Sequence, residues 1–255
     1  MTPPRLAIVG TGRMGRAVRQ LADERGWPVI TEIGGDENRD GSALTAARLA
    51  GVEVVVEFTT PGAAPANAIA CARAGVPVVV GTTGWHAERA RVEGAVHDAG
   101  GALFTAANFS LGVNVFWRVA ERAAALLATL PGFDAHIVET HHAAKRDAPS
   151  GTALELERRV AESLGHAVPV TSVRVGAVPG THELLFDGMY ESLRIEHVAR
   201  DRRVFAEGAL LAAAWLAAAW REGRRGLFTM DDLLAQPPAT AGPAGGSRAT
   251  RPETT

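Results

Sequence analysis

The sequence predicts an α/β protein of two domains: a doubly wound parallel sheet first, then an α+β domain with an open mixed sheet. Three observations carry this. Through the first hundred residues, a short apolar run, a glycine-rich or polar turn and an alanine-rich helical segment recur in series, which is the rhythm of βαβ units. The runs "RLAIVG", "VEVVVEF" and "VPVVVG" are apolar without alternation, as suits parallel strands covered on both faces. After Ser110 the rhythm gives way to one long helical stretch and then to clustered strand-like runs. A chain of 255 residues has room for two such cores.

The elements follow in order. A strand over 5–10 leads to a helix over 15–26 and a strand over 28–34, "PVITEIG". A third strand at 52–58 precedes a helix over 61–75, a fourth strand over 76–81 precedes a helix over 86–101, and a fifth opens "ALFTAANFS". The second domain then begins, with a helix over 113–130 and the strand "FDAHIVET". In "PSGTALELERRVAESLG", Thr152 and Glu155 stand at capping-box spacing and a glycine closes the helix. Three strand-like runs come next, "VTSVRVGAV", "THELLFD" and "ESLRIEHVAR", and a helix over 204–221 returns the chain to the first domain. The predicted boundaries are 1–108, completed by about 209–235, for the first domain and 109–208 for the second. Residues 236–255, rich in Pro, Gly, Ala and Thr, are expected to be a disordered tail.

A net charge of -2 with interspersed signs offers no basic stripe, so nucleic acid is not an expected partner. The N-terminus lacks the charged, apolar and small-residue order of a secretory signal. The apolar stretch "ALLAAAWLAAAW", 209–220, is short of the roughly 20 residues of a membrane span and is expected to be a buried helix. No membrane association and a cytoplasmic location are therefore expected. Cys71 is the sole cysteine, which excludes a disulfide framework and paired thiol ligands.

Gly10, Gly12 and Gly15 form G-x-G-x-x-G at the turn from first strand to first helix. In that context the pattern reads as a dinucleotide site of Rossmann-like type, with the pyrophosphate against backbone amides at a helix N-terminus. Thr11, Arg13 and Met14 lie within the turn, and Arg13 and Arg16 can add charge. Asp36 best fits the spacing of the acid that accepts from the adenosine ribose. Glu32 is the alternative, while Arg39 suits a 2'-phosphate, so NADH and NADPH stay open. Two further loops, "VGTTGW" with Gly81, Thr82 and Thr83, and "TAANFS" with Ala106, Ala107, Asn108 and Phe109, follow strands where such a sheet binds its coenzyme.

"ETHHAAKRDAPSGTALE", 139–155, holds the only lysine in the sequence, Lys145. His141, His142 and Lys145 fall in a loop between a strand and a helix whose first amides, at Ser150, Gly151 and Thr152, can meet a carboxylate. Arginine holds an anion as well as lysine does but does not readily deliver a proton, so this position calls for an acid as well as a cation. No third ligand for a histidine metal site is evident. "APSGTA" is not the G-x-S-x-G elbow of a serine hydrolase.

The blocks "GRMGR", "EFTTP", "VVGTTGW", "AANFSLGVN", "ETHHAAKRDAPSGTAL", "GTHE" and "GLFTMDDLL" resemble, in order, those of the dihydrodipicolinate reductase family, whose members are also called 4-hydroxy-tetrahydrodipicolinate reductases. The resemblance implies a reductase of lysine and diaminopimelate biosynthesis using NADH or NADPH on a small dicarboxylate. It further implies His141 as the acid-base residue, Lys145 as a second proton donor, and His142, Gly151 and Thr152 as carboxylate contacts. Coenzyme contacts by 81–83 and 106–109, and a homotetramer built through the second domain's sheet, are implied likewise. The glycine turn is one residue shorter than the family's frequent form, and Glu57 stands where Asp is commoner. A coenzyme sensor without catalysis would need an output module, and none is found. The enzyme alternative is a related two-domain NAD(P)-dependent dehydrogenase acting on aspartate or its semialdehyde; the semialdehyde enzyme would need a catalytic cysteine, and Cys71 lies on a helix of the first domain. Two half-sites on two domains imply closure, hinged near 108–112 and 206–209.

Overall fold

The computed structural model describes residues 2–235, so the tail expected over 236–255 lies outside the described residues. The first sheet is six-stranded and wholly parallel, in the order β10-β5-β4-β3-β1-β2. Its strands are β1 (Leu6–Val9), β2 (Val29–Ile33), β3 (Val54–Glu57), β4 (Val78–Val80), β5 (Ala102–Thr105) and β10 (Gly226–Phe228). Successive side chains of a strand point to opposite faces. Leu6 and Ile8 accordingly join a core with α1 (Arg13–Glu24) and α6 (Arg203–Arg221), while Ala7 and Val9 join one with α2 (Ala64–Arg73) and α3 (Arg89–Asp98). Both faces are covered, which is why these strands carry no polar alternation. The chain winds outward from β1 in both directions, and the crevice at that switch point opens at the carboxyl ends of β1 and β3.

The second sheet is four-stranded in the order β7-β6-β8-β9, with β6–β7 parallel and the other two pairs antiparallel, the mixed sheet the sequence predicts. Its strands are β6 (Phe133–His141), β7 (Val170–Arg174), β8 (Thr181–Gly188) and β9 (Ser192–Val198). One face packs on α4 (Leu111–Leu127) and α5 (Gly151–Leu164) through Val113, Phe116, Trp117, Ile137, Leu156 and Phe186. Val173 and Val198 stay exposed, as do Met189 and Tyr190 at the β8–β9 turn.

Three expectations are corrected. The helix of the 139–155 block starts with Ser150 as its cap, accepting from Ala153 N at 3.2 Å, and not with Thr152 and Glu155 as a capping box. Ser150 has the short hydroxyl side chain and extended backbone that a cap requires, and Glu155 binds Arg158 and Arg159 instead. The apolar stretch at 209–220 is part of a 19-residue helix, α6, long and apolar enough by length and composition to cross a membrane. The ground of shortness therefore fails, although the buried reading stands: α6 packs into the core through Ala209, Leu210, Ala213 and Leu216. β10 and the short α7 (Met230–Ala235) were not predicted as elements. Three residues at a sheet edge, with Leu227 exposed, are too few to show a period.

The two chain crossings between the sheets touch. A Cβ on Gly208 of α6 would lie 1.7 Å from the carbonyl oxygen of Phe109, so only glycine lets the helix pass there.

Candidate active site

The glycine turn fits a dinucleotide. A Cβ on Gly10 would lie 2.0 Å from the Phe58 carbonyl oxygen, and one on Gly15 would lie 1.7 Å from that of Gly10. These glycines bring strand, turn and helix into contact. Gly12 has open space where its Cβ would be, and as N-cap of α1 it has no side-chain cap. The amides of Arg13, Met14 and Gly15 are thus left for an anion at the positive end of the helix. Thr11 stands against Gly34 at the end of β2. Asp36 is exposed on the turn just beyond, whereas Glu32 is engaged by Arg19 at 3.2 Å.

The other two coenzyme loops are partly occupied with their own structure. The Thr82 hydroxyl accepts from Thr59 N at 2.7 Å, and the Thr82 carbonyl accepts from Trp85 Nε1 at 2.7 Å. The ring of Phe109 is buried between Phe58 and Phe104, with centroids 6.0 and 6.1 Å away. Its side chain therefore belongs to the core, which leaves its backbone as the part a coenzyme can meet. Asn108 bridges the two halves: its Oδ1 accepts from Ser110 N at 2.8 Å and its Nδ2 donates to Thr152 Oγ1 at 3.2 Å.

In the catalytic block, the buried His141 turns Nδ1 to the fully buried Glu139 in a short hydrogen bond. Nε2 is left for chemistry. It abuts Gly180, where a Cβ would lie 2.9 Å away. Burial alone would push the Glu139 carboxyl up. Hydrogen bonds from Arg174 at 2.7 Å and from His141, with the Ser172 hydroxyl nearby, outweigh it and hold the carboxyl's pKa at about 2. His141 is itself pulled below the ordinary histidine value by burial, with Glu139 opposing. Beside it, His182 meets the His141 ring edge-on at 5.1 Å and pairs with Ser150 Oγ at 3.1 Å. Burial, then the neighbouring His141, lowers His182 to about 4, so it is neutral at pH 7.

Lys145 holds Asp147 in a two-pronged contact at 2.7 and 2.8 Å. Ser150 is buried, and its amide donates to Glu139 Oε1 at 3.3 Å. Of the three amides read as an anion cradle, Ser150 is thus taken up internally, leaving those of Gly151 and Thr152 at the start of α5. A third ligand-capable side chain that the sequence did not show stands here, since ligand atoms of Glu139, His141 and His182 lie within 4.8 Å of one another. The Arg174 guanidinium already neutralises Glu139, so Glu139 and His141 form a charge-compensated carboxylate–histidine pair with the neutral His182 beside it.

A cavity of about 550 Å³ joins the halves. Thr83, Ala107 and Asn108 line it from the first sheet, and His141, His142, Lys145, Gly151 and Thr152 from the second. Glu139, Arg174, His182 and Gly180 were missed by sequence reasoning, as were the cavity-lining Trp117 and Arg202. Glu139 lay in the quoted block, two residues before His141, the same-face spacing of a strand. The others come from distant strands and helices, with no local signal.

Family models described as "Dihydrodipicolinate reductase, N-terminus" and "Dihydrodipicolinate reductase, C-terminus" match residues 4–109 and 112–234. The chain is 33% identical over 242 residues to the 4-hydroxy-tetrahydrodipicolinate reductase of Christiangramia forsetii, covering 90% of this chain and 97% of the relative. It is 37% identical over 263 residues to that of Archaeoglobus fulgidus, with 90% and 99% covered. A solved structure, dipicolinate-bound dihydrodipicolinate reductase from Paenisporosarcina sp. TG-14, shares the fold with a TM-score of 0.69 at 22% identity, over 89% of this chain and 97% of that one.

Proposed function

Because the chain belongs to the dihydrodipicolinate reductase family, we propose that it reduces 4-hydroxy-tetrahydrodipicolinate to tetrahydrodipicolinate, with NADH or NADPH, in lysine and diaminopimelate biosynthesis. The observation that supports this for the site is the cavity that Thr83, Ala107 and Asn108 line together with His141, His142 and Lys145.

The substrate's 4-hydroxyl leaves as water, and the resulting conjugated ring takes a hydride, which a bound nicotinamide would supply, and a proton, to give the tetrahydro product. The residues of this chain bind, orient and protonate. Gly10 to Gly15 receive the pyrophosphate, with Asp36 beside the ribose. Gly81, Thr82 and Thr83, and the backbone of Ala106, Ala107, Asn108 and Phe109, border the nicotinamide end. The Gly151 and Thr152 amides, with His142 and the Lys145 ammonium, hold a substrate carboxylate. Hydride addition drives negative charge into the substrate ring, so an acid aimed at the ring stabilises the transition state more than the ground state. His141 Nε2 is that acid. Glu139 fixes the ring through Nδ1 and compensates the charge when Nε2 is protonated, and Lys145 is the second proton donor. Ser150 supports the site as cap and as partner of Glu139 and His182.

We place the protein in the cytoplasm as a homotetramer joined through the second sheet. The exposed Val173, Val198, Met189 and Tyr190 of that sheet support the assembly, and light scattering showing a stable monomer contradicts it. The activity is tested by following NADH and NADPH absorbance with freshly generated substrate. Turnover is expected, and none with either coenzyme removes the proposal.

A further inference from the structure

Glu57 ends β3, paired in register with Val9 of β1 and Val80 of β4. It stands under the crevice at the switch point and is fully buried. Among the described residues no cation pairs with it. Its Oε1 accepts from the Thr59 hydroxyl in a short hydrogen bond and from Asn67 Nδ2 at 3.2 Å, while Oε2 has no partner of good geometry. Each of those donors leads into a loop at the crevice. The amide of Thr59 donates to the hydroxyl of Thr82, fixing the start of the nicotinamide-end loop. Asn67 Oδ1 accepts from Asn38 Nδ2 at 2.8 Å, and Asn38 Oδ1 accepts from Ala43 N at 3.3 Å, reaching the loop that follows Asp36. One buried carboxyl therefore ties together three segments around the crevice: the turn after β2, the start of the β3–α2 connection and the loop after β4.

We propose that Glu57 is a positioning residue that works un-ionised, a buried carboxylic acid whose hydrogen bonds hold the ribose-end and nicotinamide-end loops in register for the coenzyme. The inference rests on the dinucleotide reading of this crevice. An ionised carboxylate here would put a full charge in a dry site with no cation beside it, with only neutral donors around it and none well aligned on Oε2. The neutral acid leaves only an unbonded O–H, the smaller penalty of the two. Burial raises the pKa of Glu57, against the opposing bonds from Thr59, Thr82 and Asn67. The neighbouring titratable group, the buried Cys71, is raised by burial and then by Glu57, and so holds its proton too. A neutral tether also leaves no fixed negative charge beneath the place where the coenzyme phosphates gather.

Two variants test this. Glu57→Gln keeps the shape and the acceptor of the neutral acid. It is expected to bind NADH and NADPH with nearly the affinity of the wild type. Infrared difference spectra of the two proteins at pH 7 should show a protonated carboxylic-acid stretch in the wild type that is lost in Glu57→Gln. Glu57→Ala removes the acceptor and is expected to weaken coenzyme binding about 10-fold, the usual scale for losing an outer-layer partner. Amide exchange at 81–85 should then accelerate above that of the rest of the sheet, an effect that general destabilisation does not produce. No acid band in the difference spectrum overturns the proposal, as does a Glu57→Ala protein with wild-type coenzyme affinity and unchanged exchange at 81–85. If Glu57→Ala does not fold, the Glu57→Gln spectrum decides alone. Coenzyme titration needs no substrate, so failure of the reductase assay leaves the outcome readable.

Discussion

Replacing Gly180 by alanine puts one methyl group against the catalytic nitrogen. Gly180 has φ +155°, and its Cβ would lie 2.9 Å from His141 Nε2 and 3.2 Å from Cδ2. To reach 3.4 Å, where ordinary contacts begin, ring and methyl must part by about 0.5 Å, while Glu139 holds the ring from the far side. A misplacement of about 1 Å in an active site can cost 10²-fold in rate, so half of that points to roughly a 10-fold loss of kcat. The positive φ adds strain of about 1–3 kcal/mol to folding. Coenzyme affinity should hold, because Gly180 is remote from the glycine turn in the chain and directly precedes β8 of the other sheet. The assay is stopped-flow coenzyme oxidation with saturating substrate, alongside fluorescence titration of the coenzyme and a thermal melt to confirm folding. A folded Gly180→Ala protein with full kcat refutes the assignment of Nε2 as the reacting nitrogen.

Lys145→Arg keeps the contact with Asp147 but not a readily titrating acid, so kcat is expected to fall and Lys145→Ala to lower it further; equal kcat for wild type and Arg refutes the acid role. His182 has a folded pKa of about 4, below the ordinary histidine value of 6.5. Between those values the unfolded chain binds the extra proton, and stability falls as pH falls. The loss is about 3 kcal/mol in all, and urea unfolding at pH 7 and pH 4.5 should show a shallower pH dependence for His182→Asn. The two crossings at Phe109 and Gly208 touch, and if they act as one hinge, coenzyme plus pyridine-2,6-dicarboxylate should compact the molecule more than either alone. Identical small-angle scattering in all four ligand states rejects closure.

Most of the first domain was legible because fully buried strands and glycine turns are local signals. β1, with its G-x-G-x-x-G turn, needs only neighbouring residues to declare itself. What the sequence hid depends on partners far along the chain. Arg174 reaches Glu139 from β7, and His182 reaches His141 and Ser150 from β8, so no spacing near 139–155 points to them. Ser150 illustrates the difference between type and use. The sequence offers its amide to an anion, whereas in the fold that amide donates to Glu139 and its hydroxyl caps α5. The buried role of Phe109 was equally hidden, since Phe58, Phe104 and Gly208 come from three separate segments. β10 was too short for periodicity and is held by its pairing with β5.

The central claim is that this chain reduces 4-hydroxy-tetrahydrodipicolinate by protonation from His141 in the cavity between its two sheets. It is tested most directly by measuring, on the wild type and on His141→Asn, both coenzyme oxidation with freshly generated substrate and the coenzyme dissociation constant. The account expects turnover by the wild type, with a loss of at least about 10²-fold in the variant, the lower range for general acid–base catalysis, and nearly equal coenzyme affinity. A wild type inert with both NADH and NADPH contradicts it, and so does a His141→Asn protein that turns over as fast as the wild type.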